Sequence, residues 1–263
     1  MKPNALIVSI LSLLSAFTLL ASPALAAIKS RTFEYKAGET VLQGYIAWDD
    51  AIAGKRPGVL VVHEWWGHNE HARKQADRLA QAGYVGLALD MYGKGKVTTH
   101  PADAQKFAQE ATKDAAVVAA RFNAALDVLK TDEHVDATHV GAIGYCFGGR
   151  IVLDMAQHGA DLAIAASFHG AVPPAAEAPT FKGRVVMFNG AADPMVPPDA
   201  VAAYVKGLAT AHADFSLVNL PGAKHAFTNP AADKAGVDGL AYNAHADERS
   251  WGLLVEALKD TFR

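Results

Sequence analysis

The chain has one cysteine, Cys146, in 263 residues. A single thiol excludes an internal disulfide and any zinc site built on several thiolates. Basic charge is not in excess either. With 24 Lys and Arg against 27 Asp and Glu the formal net charge is −3, which provides no basic face for nucleic acid. Low-complexity stretches and internal repeats are absent, so nothing marks a second domain. Hydrophobic residues make up 51% of the chain, enough for a large core without disulfides or metal.

Uninterrupted apolar sequence of real length occurs only at the N-terminus. Lys2 precedes an apolar core from Ala5 to Leu20, and Ser22-Pro23-Ala24-Leu25-Ala26 follows. A charged start, an apolar core and an A-x-A site read as a secretory signal peptide over residues 1–26. A retained membrane anchor is the alternative, but the core is short for one and the small-residue site speaks against it. Cleavage after Ala26 is therefore expected, leaving 27–263 as a single domain. The expected product is a periplasmic or secreted monomer with no membrane contact. An unpaired thiol in an exported protein points to a reactive role or an intermolecular bond.

Apolar runs at Val59–Val62, Val85–Leu89, Val140–Gly144, Ile164–Phe168, Val185–Phe188 and Phe215–Leu220 alternate with helical segments. An antiparallel pair, Arg31–Tyr35 and Val41–Trp48, opens the series. Helices are expected over Asn69–Ala82, within Ala102–Lys130 (one or two), over Asp199–Ala211 and over Ala246–Phe262. Short, wholly apolar strands alternating with helices predict an α/β fold: a mostly parallel eight-stranded sheet with helices on both faces.

Cys146 sits in Gly144-Tyr145-Cys146-Phe147-Gly148-Gly149, between the last of a strand-like run and a helix-like one. A nucleophile flanked two residues away by glycines, at a strand-turn-helix junction, reads as the nucleophile elbow of an α/β-hydrolase fold with a thiol in place of the usual hydroxyl. Taken alone, the cysteine could equally be a small buried hydrophobe. In this fold the acid and the histidine follow the nucleophile in that order. Asp193, in Asp193-Pro194-Met195-Val196-Pro197, and His225, in Lys224-His225-Ala226-Phe227, each follow a predicted strand. Upstream, the strand ending at Val62 enters His63-Glu64-Trp65-Trp66-Gly67, the loop that supplies one oxyanion-hole amide; the donors would be the N–H groups of Trp65 and Phe147. His63 and His68 are five apart around a glycine, which does not match the four-residue spacing of a helical zinc motif, and no metal or other cofactor is expected.

These segments, together with Asp90-Met91-Tyr92, resemble the dienelactone hydrolase family over most of the chain after residue 26. The resemblance implies Cys146 as nucleophile, His225 as base, Asp193 as its orienting partner, and Glu64 as the glutamate that holds the resting thiol and helps to generate the thiolate. A structural carboxylate bonded to loop amides is the other reading of Glu64. Family members acting on diene lactones grip the substrate carboxylate with two arginines; here those places fall at or near Lys94 and Asn229. Lysine is a point charge without a bidentate fork, and asparagine has no charge. Tyr92 and Tyr145 join these two as candidate substrate contacts, with core packing the alternative for Tyr145 and Trp66. His169, after the strand ending at Phe168, reads as a structural histidine, with a place near the site the alternative, and the stretch from Thr228 to Asp247 as a long loop able to act as a lid. The expectation is a cysteine-dependent hydrolase of small esters or lactones working through a thioester. The alternatives are a carboxylesterase for neutral esters and a non-catalytic periplasmic binding or stress protein.

Overall fold

The computed structural model describes residues 27–263, so the expected signal peptide lies outside the described residues. Strands β1 (Ile28–Ala37) and β2 (Thr40–Asp49) form an antiparallel hairpin, and β2 also runs antiparallel to β4 (Val85–Leu89). With β4, strands β3 (Arg56–Val62), β5 (Val135–Tyr145), β6 (Ile164–Phe168), β7 (Arg184–Gly190) and β8 (Phe215–Leu220) are parallel. The eight-stranded sheet has the order β1-β2-β4-β3-β5-β6-β7-β8.

Alternation along the strands divides the core. Leu60 and Val62 pack with the helices α3 (Ala115–Thr131), α4 (Phe147–Gln157) and α5 (Pro198–Thr210), whereas Val59 and Val61 pack with α1 (Glu70–Gln81) and α6 (Ala244–Thr261). Both faces are covered, which is why β4 and β6 are buried at every residue and are apolar throughout except for Ser167. Each fully buried Val or Leu contributes roughly 2 kcal/mol of transfer free energy.

Local signals set the helix ends. The Asn69 side chain accepts from the Ala72 N–H at the start of α1, and Gly83 follows its end at φ +91°. The segment Ala102–Lys130 contains two helices, α2 (Pro101–Thr112) and α3, because Asp114 breaks the run and caps the second by accepting from Ala116 N–H. Beyond His225 the long connection is not a loose flap. His225 donates its N–H to Gly239 O, Ala241 donates to His225 O, and Asn243 donates to Phe227 O. Asn243 then caps α6, which starts two residues earlier than its apolar pattern indicates.

From β3 the chain passes through α1 to β4 on one side, and from β4 through α2 and α3 to β5 on the other. The loops after β3 and β5 are thereby left side by side at the carboxyl edge, where ligands of open α/β sheets bind. Cys146 lies between β5 and α4 with φ +53°. So sharp a turn requires glycine on both sides: a Cβ on Gly144 would lie 2.1 Å from Gly148 O, and one on Gly148 would lie 2.2 Å from Val62 O.

Gly148→Ala must therefore separate α4 from β3 and should destabilise the fold by about 2–4 kcal/mol in urea titration. Gly252→Ala is the control, since that glycine lies inside α6 with open space around its Cβ position; it should add about 1 kcal/mol. Equal stability of the two variants would contradict the close-approach argument.

Candidate active site

Cys146 is half-buried, and its backbone N–H is held from both sides of a fork, by Phe168 O at 3.0 Å and His169 Nδ1 at 3.1 Å. Phe147 is the first residue of α4, so its N–H is one of the unpaired donors at a helix N-terminus, where the macrodipole is positive. Across the sheet edge, the turn after β3 closes with Gly67 N–H donating to Glu64 O at 3.2 Å. The Tyr92 hydroxyl donates to Trp65 O at 3.1 Å, and the Tyr92 ring packs 5.3 Å from that of Phe147. Tyr92 is thus a wall that positions the Trp65 peptide.

The structure brings His225, Asp193 and Cys146 together. His225 Nδ1 is 2.8 Å from Asp193 Oδ2, in a pair whose side chains are almost completely buried. The other side of the ring meets the Cys146 thiol. Burial lowers the His225 pKa, but the charge of a Cys146 thiolate, the Asp193 hydrogen bond and the thiol hydrogen bond more than offset it and raise it to about 10. The second Asp193 oxygen accepts from Met195 N–H at 2.7 Å, so the carboxylate is oriented by its own loop.

Glu64 is fully buried, and burial pushes its pKa up to about 7, against the opposing effects of the Asn229 hydrogen bond and the His225 charge. Asn229 Nδ2 donates to Glu64 Oε2 at 2.5 Å. This alters two expectations. The hydrogen-bond partner of the resting thiol is His225 rather than Glu64, and Asn229 is committed to the buried carboxyl rather than to a substrate anion.

Two further residues lie elsewhere than expected. Lys94 forms an ion pair with Glu34 of β1, and both side chains are about half exposed at 50% and 54%; its charge is engaged at the hairpin side of the sheet. Tyr145 is in the core, 1% exposed, stacked 4.8 Å from Phe168 and donating its hydroxyl to Gln75 Oε1 at 3.0 Å. It faces α1 because alternation along β5 puts it on the same side as Ile143. Trp66 is also buried and borders a cavity of about 190 Å³ shared with Asn69, Thr98, Ala226, Asn229 and Lys234. Among the described residues no three His, Cys, Asp or Glu side chains converge to hold a metal ion.

Sequence reasoning missed the parts played by buried polar groups. Asp90 accepts from the N–H groups of Tyr92 and Gly93, at 2.8 and 2.9 Å, and so shapes the Asp-Met-Tyr turn. His63 Nε2 accepts from Met91 N–H at 3.1 Å, fastening that turn to the loop after β3. His169 Nε2 is 2.8 Å from Thr228 Oγ1, a contact across 59 residues with no local sequence signal.

Fold and site geometry define an α/β hydrolase. The dienelactone hydrolase family model matches residues 42–262, and the chain belongs to that family. A dienelactone hydrolase-like promiscuous phosphotriesterase, P91, from metagenomic libraries is 35% identical, with a TM-score of 0.87 over 90% of this chain and 99% of its own. Protein usf of Aquifex pyrophilus is 29% identical over 86% of this chain and 96% of its own. A Synechocystis protein with the provisional name carboxymethylenebutenolidase is 28% identical over 80% and 88%. The chain is accordingly a dienelactone hydrolase-like enzyme acting on ester bonds.

Glu64 has a folded-state pKa near 7 against 4.5 when unfolded, so the folded state holds this proton more tightly. Its contribution to stability is complete below pH 4.5 and is lost as pH rises through 7. Glu64→Gln should remove that loss, so the melting temperature of the variant relative to the parent should climb between pH 4.5 and 7 and level off above. A difference that stays constant with pH would contradict the buried-carboxyl assignment.

Proposed function

We propose that the protein is an exported cysteine hydrolase that opens small esters or lactones through a thioester acyl-enzyme. The carrying observation is the connected series Asp193–His225–Cys146 at the start of α4; the oxyanion donors assigned to it are the N–H groups of Phe147, which opens that helix, and Trp65. His225 takes the thiol proton, and the resulting thiolate attacks the substrate carbonyl carbon. The oxygen that becomes negative is held by the two amides, which are rigid because one opens a helix and the other belongs to a glycine-closed turn. Collapse breaks the carbon–oxygen ester bond, and His225 returns the proton to the departing alcohol. Water, deprotonated by His225, then hydrolyses the thioester and regenerates Cys146. Asp193 keeps the imidazole in the tautomer that presents Nε2 to the thiol. Glu64, with a pKa near 7, changes its charge beside His225 around neutrality and so influences the pH dependence of turnover.

Acidic substrates gain no charge advantage over neutral ones. Lys94 is paired with Glu34, and Asn229 with Glu64, so neither position corresponding to the family's arginine fork offers a free cation to a carboxylate. Export follows from the charged start, apolar core and A-x-A pattern of residues 1–26.

Cys146→Ala should reduce ester hydrolysis by 10³-fold or more while keeping the fold, the scale on which loss of a nucleophile is expected; undiminished turnover would reject the mechanism. On a panel of matched acidic lactones, neutral esters and a phosphotriester, the ratio of kcat/KM for acidic over neutral substrates should lie within about threefold of one, less than 1 kcal/mol of discrimination. That ratio should not respond to Lys94→Met. A strong preference for acids that Lys94→Met abolishes would place the substrate against Lys94 after all.

A further inference from the structure

We propose that His169 and Thr228 are a positioning couple that keeps the Cys146 thiol and the His225 ring in register, a role that rests on the thiol mechanism above. His169 is completely buried at the end of β6 and has φ +40°, an unusual backbone angle for a side-chain-bearing residue. Opposite it, Cys146 has φ +53°. Two strained residues at the ends of adjacent parallel strands are joined by one hydrogen bond, Cys146 N–H to His169 Nδ1 at 3.1 Å. Strain of this kind persists only where surrounding contacts determine the conformation.

The chemistry of the contact dictates the tautomer. A backbone N–H can only donate, so Nδ1 must accept, and the proton of the neutral ring is on Nε2. Nε2–H then donates to Thr228 Oγ1, 2.8 Å away. A protonated His169 would set an N–H against the Cys146 N–H. Burial, and after it the charge of His225, hold the His169 pKa well below 6.5 and keep the ring neutral. The His225 ring stands 5.3 Å away in a T-shaped arrangement, so an imidazolium there meets a neutral aromatic neighbour.

Thr228 lies three residues beyond His225, in a turn closed by Ala226 at φ +57° and by Asn229 N–H donating to Ala226 O at 2.9 Å. The hydrogen bonds therefore form a ring: Cys146 thiol to His225, along the backbone to Thr228, across to His169, and back to the Cys146 amide. Two attachments fix the separation of sulfur and imidazole, whereas one would let the elbow pivot against the histidine loop. Misplacement by 1 Å can cost on the order of 10²-fold in rate. A merely structural histidine would affect stability without moving the reactivity of the thiol.

The test uses the single cysteine. Thr228→Val removes the acceptor at nearly constant volume. His169→Asn keeps an acceptor at the Nδ1 position, suits a positive φ, and loses Thr228. Each variant should lower kcat by roughly tenfold with KM within about twofold, and should slow alkylation of Cys146 by iodoacetamide at pH 7 several-fold, shifting its pH profile. The double variant should be no worse than the poorer single one, because both cut the same link. Additive losses, or a kcat loss with an unaltered alkylation profile, would overturn the proposal. So would parental kcat and alkylation in Thr228→Val, which also carries the test if His169→Asn fails to fold. Alkylation needs no ester, so a parent protein that hydrolyses nothing on the panel would refute the hydrolase reading while leaving this one measurable.

Discussion

The site depends on one steric constraint: strand β5 and helix α4 meet so closely that their backbones touch across Gly144 and Gly148. Only this contact forces Cys146 into a left-handed conformation and lifts its side chain out of the sheet toward His225. The same contact leaves the Phe147 N–H at the mouth of α4, because a helix that begins directly after Cys146 has no earlier carbonyl to accept from it. Exposure of the thiol, an unpaired N–H and a positive helix end are three consequences of one turn.

Electrostatics then differentiate neighbouring groups of the same type. His169 and His225 have ring centroids 5.3 Å apart, yet burial keeps the first neutral while Cys146 and Asp193 favour the charged form of the second. The difference is in the partners: His169 faces a backbone N–H and a hydroxyl, His225 faces a thiol and a carboxylate. Glu64 and Asp193 diverge likewise. Asp193 is paired with an imidazole, whereas Glu64 has a neutral amide as its hydrogen-bond partner and retains its proton toward neutrality. Loop 225–229 is central to this arrangement, since it carries the imidazole, the hydroxyl that meets His169 and the amide that meets Glu64.

Much was legible in the chain itself. Elements with short, nearly continuous apolar runs, such as Val85–Leu89 and Ile164–Phe168, fell where the pattern placed them, because a strand covered on both faces admits few polar positions, Ser167 being one. Cys146, Asp193 and His225 were visible because each follows a strand, and the sheet's parallel geometry delivers every such loop to one edge. Ends were harder: β5 starts at Val135 in polar sequence, and α6 at Ala244 after its Asn243 cap, both earlier than the apolar signal.

What the sequence determined by itself was therefore the fold and the set of reactive groups, since both arise from local pattern and strand order. What only the tertiary structure decided was which partner each polar side chain chose. Tyr145 turned to Gln75 and the core, Lys94 to Glu34, Asn229 to Glu64 and His169 to Thr228, across separations of 70, 60, 165 and 59 residues. The physical reason is that a buried or paired polar group is placed by geometry and burial at long range, and neither leaves a trace in the residues beside it.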